Sequence, residues 1–207
     1  MISHKYQCIF IHIPRVAGTS IEKWLCGSDW WEIDPATKHL LASQARQLYS
    51  DFWESYFKFT FVRNPWDRMV SALKFPDYFG VRYDRGRIPP FGRSLDFGGY
   101  KTRFGPDPVV EFDHRFYERS SIVSPRHAAK QVYGNIIDEP IDFIGRFETL
   151  VKDCSQLRDI LGVDEIMTIH SEKSTRKARY RHYYNTSTAQ EVADMYANDN
   201  ERFGFAF

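Results

Sequence analysis

Two apolar, β-prone runs, each closed by a turn and followed at once by a helix, constrain this chain more than any other feature. The first run is residues 6–13, YQCIFIHI, and it reads as a buried strand. A turn over 14–18 follows, then Thr19 and Ser20, then Ile21, Trp24 and Leu25 at helical spacing. The second run is residues 56–62, YFKFTFV, which alternates less than a surface strand and implies burial on both faces. Asn64 suits the N-cap of the next helix, Pro65 its N1 position and Asp67 its N3 position. Met69, Val70 and Leu73 supply that helix's apolar stripe. A third strand is expected over 141–145. Its helix carries Leu150, Val151, Cys154, Leu157 and Leu161, with Gly162 as the stop. A last helix is expected from Ser187, with Ser187 and Gln190 as a capping box and Val192, Met195 and Tyr196 on its buried side. Repeated strand–loop–helix units predict an α/β fold, a mainly parallel sheet flanked by helices in a single domain over 1–207.

Composition narrows the function classes. The 207 residues carry 28 Lys plus Arg against 27 Asp plus Glu, a formal charge of +1. A nearly neutral chain does not wrap nucleic acid by bulk electrostatics, so no nucleic-acid partner is expected. A small anion held by a few arginines stays open. Cys8, Cys26 and Cys154 are scattered without a CxxC pair, which is not a disulfide framework. No stretch reaches 18 apolar residues and no signal peptide precedes the first strand. The expectation is a soluble, cytoplasmic protein without a membrane span.

Residues 76–108 stand apart from their flanks, with six of the 12 glycines and five of the ten prolines. Aromatics and arginines interleave there: Tyr78, Phe79, Arg82, Tyr83, Arg85, Arg87, Phe91 and Arg93. The aromatic content is too high for a solvated spacer, so this reads as an ordered insertion that shapes an acceptor site.

The two strand-end loops carry the chemistry. Arg15, Gly18, Thr19 and Ser20 sit where a strand hands over to a helix, and backbone N–H groups there hold phosphate. Gly18 permits close backbone approach. The plain alternative is an ordinary turn with a Ser/Thr helix cap. The Walker spacing, Gly-x-x-x-x-Gly-Lys with Ser or Thr, is missing, which disfavours an ATP-dependent phosphotransferase. Arg63 stands at the end of the second strand, and Ser71 lies two turns into the helix on the cap's face. Together they suit a second phosphate. The alternatives are Arg63 as the partner of Asp67 and Ser71 as a small packing residue. Arg68 and Trp66 read as structural. A late basic run, Lys173, Arg176, Lys177, Arg179 and Arg181, is either a solvated face or an anion clamp, with Lys173, Ser174 and Arg176 the nearest contacts. No His or Cys has metal-ligand spacing, so no metal is expected.

These motifs resemble a known family. FIHIPRVAGTS (10–20) is similar to the 5′-phosphosulfate-binding loop of the sulfotransferases, and YFKFTFVRNPWDRMVSA (56–72) to their 3′-phosphate-binding segment. FIGRFE (143–148) and HYYN (182–185) resemble the carbohydrate branch, related to the chondroitin and heparan 2-O enzymes. The resemblance runs from 6 to 205 and is least familiar over 76–108. It implies a P-loop-NTPase-like fold that binds 3′-phosphoadenylyl sulfate (PAPS) and releases the desulfated nucleotide, PAP. Arg15, Gly18, Thr19 and Ser20 would hold the 5′ phosphosulfate. Arg63 and Ser71 would hold the 3′ phosphate, while Lys173, Ser174 and Arg176 read as a clamp over that phosphate or as a groove for an anionic sugar. The family usually has Lys where this chain has Arg15, which keeps the charge but exchanges a point donor for a planar fork. The resemblance implies His39 as general base; His170, which opens a loop resembling the family's late cofactor-facing segment, is the second choice for an active-site role. The plain reading of His39 is a capping or packing residue. The implied reaction is sulfuryl transfer to a hydroxyl acceptor, a small molecule or glycan. An ATP-dependent phosphotransferase and a non-catalytic nucleotide-binding relative are the competing readings.

Overall fold

The computed structural model describes residues 1–34, 37–73, 132–168 and 179–207. Among them runs a four-stranded sheet in the order β1-β2-β3-β4. Strand β1 (Ile2–Ser3) pairs antiparallel with β2 (Cys8–Ile11). The hairpin between them explains why the first strand is shorter than its apolar run. Gln7 sits in the left-handed region (φ 47°) as the chain turns back, so Tyr6 and Gln7 belong to the turn. Strand β3 (Phe57–Val62) lies parallel to β2, and β4 (Phe143–Arg146) lies parallel to β3.

Helices flank this sheet. Between β2 and β3 come α1 (Gly18–Cys26), α2 (Trp30–Ile33), α3 (Ala42–Leu48) and α4 (Ser50–Trp53). After β3 comes α5 (Pro65–Leu73), and before β4 the short α6 (Tyr133–Ile136). A 3₁₀ turn at Phe147–Thr149 leads into α7 (Leu150–Leu161), which stops at Gly162 with φ 64°, the left-handed cap a glycine supplies at no steric cost. A second 3₁₀ turn (Tyr180–Tyr183) precedes α8 (Thr186–Met195) and α9 (Ala197–Phe203).

All four residues of β2 are buried, as are Phe59, Phe61 and Val62 of β3, which is why these strands read as near-continuous apolar runs. Period-2 geometry puts Phe10 and His12 on one face with Phe59, Phe61 and Phe143. Phe10 stacks on its register partner Phe59 at 4.9 Å between ring centroids. A Cβ on Gly145 would come within 2.4 Å of the Phe61 ring, so β4 needs a glycine to lie against β3.

The capping of α8 differs from expectation. Asn185 is the N-cap: its side chain accepts the Thr188 N–H at 2.9 Å, and the Thr188 hydroxyl accepts the Asn185 N–H at 3.1 Å. Asn ranks with Ser as a cap, and Thr188 completes the reciprocal pair that Gln190 was expected to make. Gln190 instead reaches forward to Asp194. The 76–108 insertion lies outside the described residues.

Candidate functional site

Strands β2 and β3 are parallel neighbours, with Ile11 opposite Thr60, so both run out at the same end of the sheet. Ligand crevices of open α/β sheets form at the carboxyl ends of strands. Two loops meet there. In the first, Arg15 (φ 72°) and Ala17 (φ 69°) are both left-handed, an uncommon conformation for residues with a Cβ. Ala17 is the N-cap of α1, and its carbonyl accepts the N–H groups of Ser20 (3.0 Å) and Ile21 (3.2 Å). Alanine has no side chain with which to cap. Thr19 and Ser20 are therefore not cap residues but the second and third residues of the helix. The amides at a helix start have no acceptor within the helix. Because the Ser20 and Ile21 amides are taken by the Ala17 carbonyl, Gly18 and Thr19 carry the amides that an anion at the start of α1 would meet. Arg15, Ala17 and Thr19 are half-buried, whereas Val16, Gly18 and Ser20 are buried.

The second loop holds the first in place. Arg63, only 5% exposed, grips Asp67 Oδ2 through Nε (2.9 Å) and Nη2 (2.8 Å), and donates from Nη1 to the Arg15 carbonyl (3.0 Å). Its guanidinium lies 3.9 Å from the centre of the Phe147 ring. Arg68, fully buried, donates from Nε to the Pro14 carbonyl (3.0 Å) and from Nη1 to the Tyr196 hydroxyl (3.0 Å). Two arginines of the second motif thus fix two successive carbonyls of the first loop. Tyr133 clamps the Arg63 backbone, its hydroxyl accepting the N–H at 3.2 Å and donating to the carbonyl at 2.5 Å. Burial pushes this phenol up, so it stays protonated as the donation requires. Asn64 caps α5 by accepting the Asp67 N–H (3.3 Å), and its own N–H donates to Glu148 (2.6 Å). Arg15 reaches across to α5, donating from Nε (3.3 Å) and Nη2 (3.2 Å) to the Ser71 hydroxyl.

Beneath the first loop lies a buried charged cluster. Glu22 of α1 is 0% exposed and accepts His12 Nδ1 (2.5 Å), Lys38 Nζ (2.5 Å) and the Trp30 N–H (3.1 Å). Lys38 also pairs with Asp29. Burial would raise the Glu22 carboxyl, but His12 and Lys38 more than offset it and hold it at about 2. Burial also pushes His12 below its ordinary value, against the pull of Glu22. Its Nδ1 faces the ionised Glu22 carboxylate, which only accepts, so Nδ1 is the donor. Its Nε2 edge lies against α1: a Cβ on Gly18 would fall 1.9 Å from that atom. Gly18 and Glu22 are one helical turn apart on one face, so a single imidazole touches both.

His39 is 4% exposed, with its ring 4.4 Å from that of His12 between centroids. Its Nδ1 lies 3.0 Å from the His12 carbonyl oxygen. A carbonyl only accepts, so Nδ1 carries the proton and Nε2 is the basic nitrogen of the neutral ring.

The structure brings together Arg15, Gly18, Thr19, Ser20, Arg63 and Ser71, with His39 beside the strand that feeds the loop. Asp67 as the partner of Arg63 is observed. His170, Lys173, Ser174 and Arg176 lie outside the described residues. Sequence reasoning passed over Glu22 and Lys38. A carboxylate set among Ile21, Trp24 and Leu25 on α1 was the available signal. It also left Phe147 and Glu148 without a role beyond resemblance.

The described residues hold no group of three His, Cys, Asp or Glu side chains able to bind a metal ion, and no helix long and apolar enough to cross a membrane. Residues 1–88 match the model of the sulfotransferase family. The match spans both loops, His12, Glu22, His39 and Ser71. It supports a sulfotransferase-superfamily assignment and group transfer in general, without selecting a branch. No curated protein and no solved structure matches the chain.

Proposed function

We propose that this protein is a PAPS-dependent sulfotransferase of P-loop-NTPase-like fold that sulfates a hydroxyl, its acceptor a carbohydrate. The observation that carries this reading is the pairing of an α1 start that no side chain caps with an Arg–Ser contact between the two loops, inside the segment that matches the sulfotransferase model. Such a helix start accepts an anion as its cap. When bound, the nucleotide supplies an activated sulfuryl group.

The chain's own residues do the rest. The Gly18 and Thr19 amides and the Thr19 and Ser20 hydroxyls hold the 5′ phosphosulfate. Arg63 and Ser71 hold the 3′ phosphate. His39 Nε2 takes the proton of the acceptor hydroxyl as its oxygen bonds to sulfur and the bond from sulfur to the 5′ phosphate oxygen breaks. Arg15 and the loop amides stabilise the negative charge left on that oxygen. His12 orients the base, because its carbonyl fixes which nitrogen of His39 is protonated.

The test is transfer from a donor labelled in its sulfuryl group to a panel of carbohydrates and simple alcohols. His39→Asn keeps a donor for the His12 carbonyl and removes the basic nitrogen, so kcat falls about 100-fold or more while nucleotide affinity is retained. Turnover by His39→Asn at the wild-type rate removes His39 as the base. Nucleotide binding without transfer to any acceptor identifies a binding protein instead.

A further inference from the structure

We propose that Glu22 is a positioning residue for His39, fixing the imidazole relative to the amides at the start of α1. The inference rests on the reading of His39 as the base and adds to it what holds that base in place. His39 lies in the connection between α2 and α3. Connections normally run over the surface. Here Thr37, Lys38, His39 and Leu40 are all buried, one after another. Side chains fasten them. Trp30 Nε1 donates to the Thr37 hydroxyl at 2.9 Å. Lys38 Nζ donates to Glu22 Oε2 at 2.5 Å and also pairs with Asp29. His39 Nδ1 donates to the His12 carbonyl at 3.0 Å.

Glu22 joins these anchors to the other end of the site. It belongs to α1, one turn beyond Gly18, so the helix whose Gly18 and Thr19 amides face an anion also carries this carboxylate. Its two oxygens serve different neighbours of the base. Oε1 accepts from His12 Nδ1 at 2.5 Å, and His12 is the residue whose carbonyl accepts from His39. Oε2 accepts from Lys38, the residue before His39, and from the Trp30 N–H at 3.1 Å, where α2 begins. Stability alone does not account for a lysine and a glutamate placed together in the core. Desolvation of a buried pair offsets much of its attraction, and an apolar pair of similar volume is often as stable. What the ion pair adds is direction: it fixes where Lys38 ends, and with it the residue that follows.

The test uses two variants. Lys38→Met cuts the tie between Glu22 and the segment. Glu22→Gln combined with Lys38→Met leaves neither member of the pair charged and keeps an acceptor for His12. Circular dichroism and melting temperature check that each is folded. The first readout is the nitrogen NMR shift of each His39 ring nitrogen in the neutral imidazole, which reports the tautomer without nucleotide or acceptor. In both variants the ratio of the Nδ1–H form to the Nε2–H form should fall about 5-fold, the worth of one ordinary hydrogen bond. The second readout is sulfuryl transfer. There kcat should fall about 10-fold, with affinity for adenosine 3′,5′-bisphosphate within about 3-fold of wild type. The same changes made on His39→Asn should lower kcat by less than about 2-fold further, because Glu22 acts through the imidazole that is already gone. An unchanged tautomer ratio in either variant overturns the proposal. So does an equal loss of kcat in the wild-type and His39→Asn backgrounds, which makes Glu22 a structural residue only. Turnover by His39→Asn at the wild-type rate removes the base reading instead, and the tautomer ratio then still decides whether Glu22 places the ring.

Discussion

Gly18→Ala separates two explanations for the glycine at the start of α1. If the glycine exists only to let an anion approach the backbone, alanine leaves the empty protein as stable as before. The structure predicts otherwise. An alanine Cβ at position 18 would lie 1.9 Å from His12 Nε2 and 2.1 and 2.4 Å from the adjoining ring carbons. The ring has little freedom to retreat. Its Nδ1 is 2.5 Å from Glu22, one face stacks on Phe10 at 5.5 Å, and the His39 ring meets it at 4.4 Å. Overpacking of this kind costs about 3 kcal/mol, the upper end of the ordinary range. For a chain of this size that lowers the melting temperature by about 6–12 °C. Gly18 has no left-handed φ, so backbone strain adds nothing and alanine would otherwise favour the helix. His12→Ala alone removes one partner of Glu22 and leaves a cavity, at about 2–3 kcal/mol. The double variant relieves the clash, so it should be no less stable than His12→Ala. The assay is urea unfolding of all four proteins. Additivity of the two single effects within about 0.5 kcal/mol would show that Gly18 and the His12 ring do not compete for the same space.

Other expectations follow from the same geometry. Because Glu22 is held at about 2, its contribution is complete above the ordinary carboxylate value and is lost as pH falls through the folded value. Wild type should lose about 2 kcal/mol from this group between pH 5 and pH 3. Glu22→Gln, about 3 kcal/mol less stable at pH 7, should lack that part of the acid dependence in denaturant melts. An unchanged acid limb in the variant would assign the effect to other groups. Arg68→Met keeps much of the buried volume but releases the Pro14 carbonyl and Tyr196. It should weaken binding of adenosine 3′,5′-bisphosphate without contacting it, and raise amide exchange across residues 14–18. Unaltered exchange there would show that Arg68 does not hold the loop.

Much of this arrangement was legible because local and global preferences agree. Residues 8–11 are apolar without interruption, and 57–62 are apolar but for Lys58 and Thr60, because these strands lie inside the sheet with most of their side chains buried; the caps at Asn64 and Gly162 announce the helix boundaries they set. Pairing between distant residues was not legible. Nothing local marks Arg68 as the residue that holds Pro14, or Tyr133 as the clamp on Arg63, because those contacts are made by topology. Glu22 was hidden by its type, since a carboxylate is expected outside unless its partners are known. Those partners, His12 and Lys38, lie on either side of it in sequence. Gly18 was read as letting a ligand approach the backbone closely, whereas the structure shows that the His12 ring occupies the space a side chain there would need.

The proposed function requires the ends of β2 and β3 to form one nucleotide site. Amide chemical shifts of the labelled protein, followed as adenosine 3′,5′-bisphosphate is added, test it most directly. Saturable shifts are expected at Gly18, Thr19 and Ser20 and, in the same titration with the same affinity, at Arg63 and Ser71. Shifts confined to one of the two loops, or clustered on the outer face of α7, would contradict it.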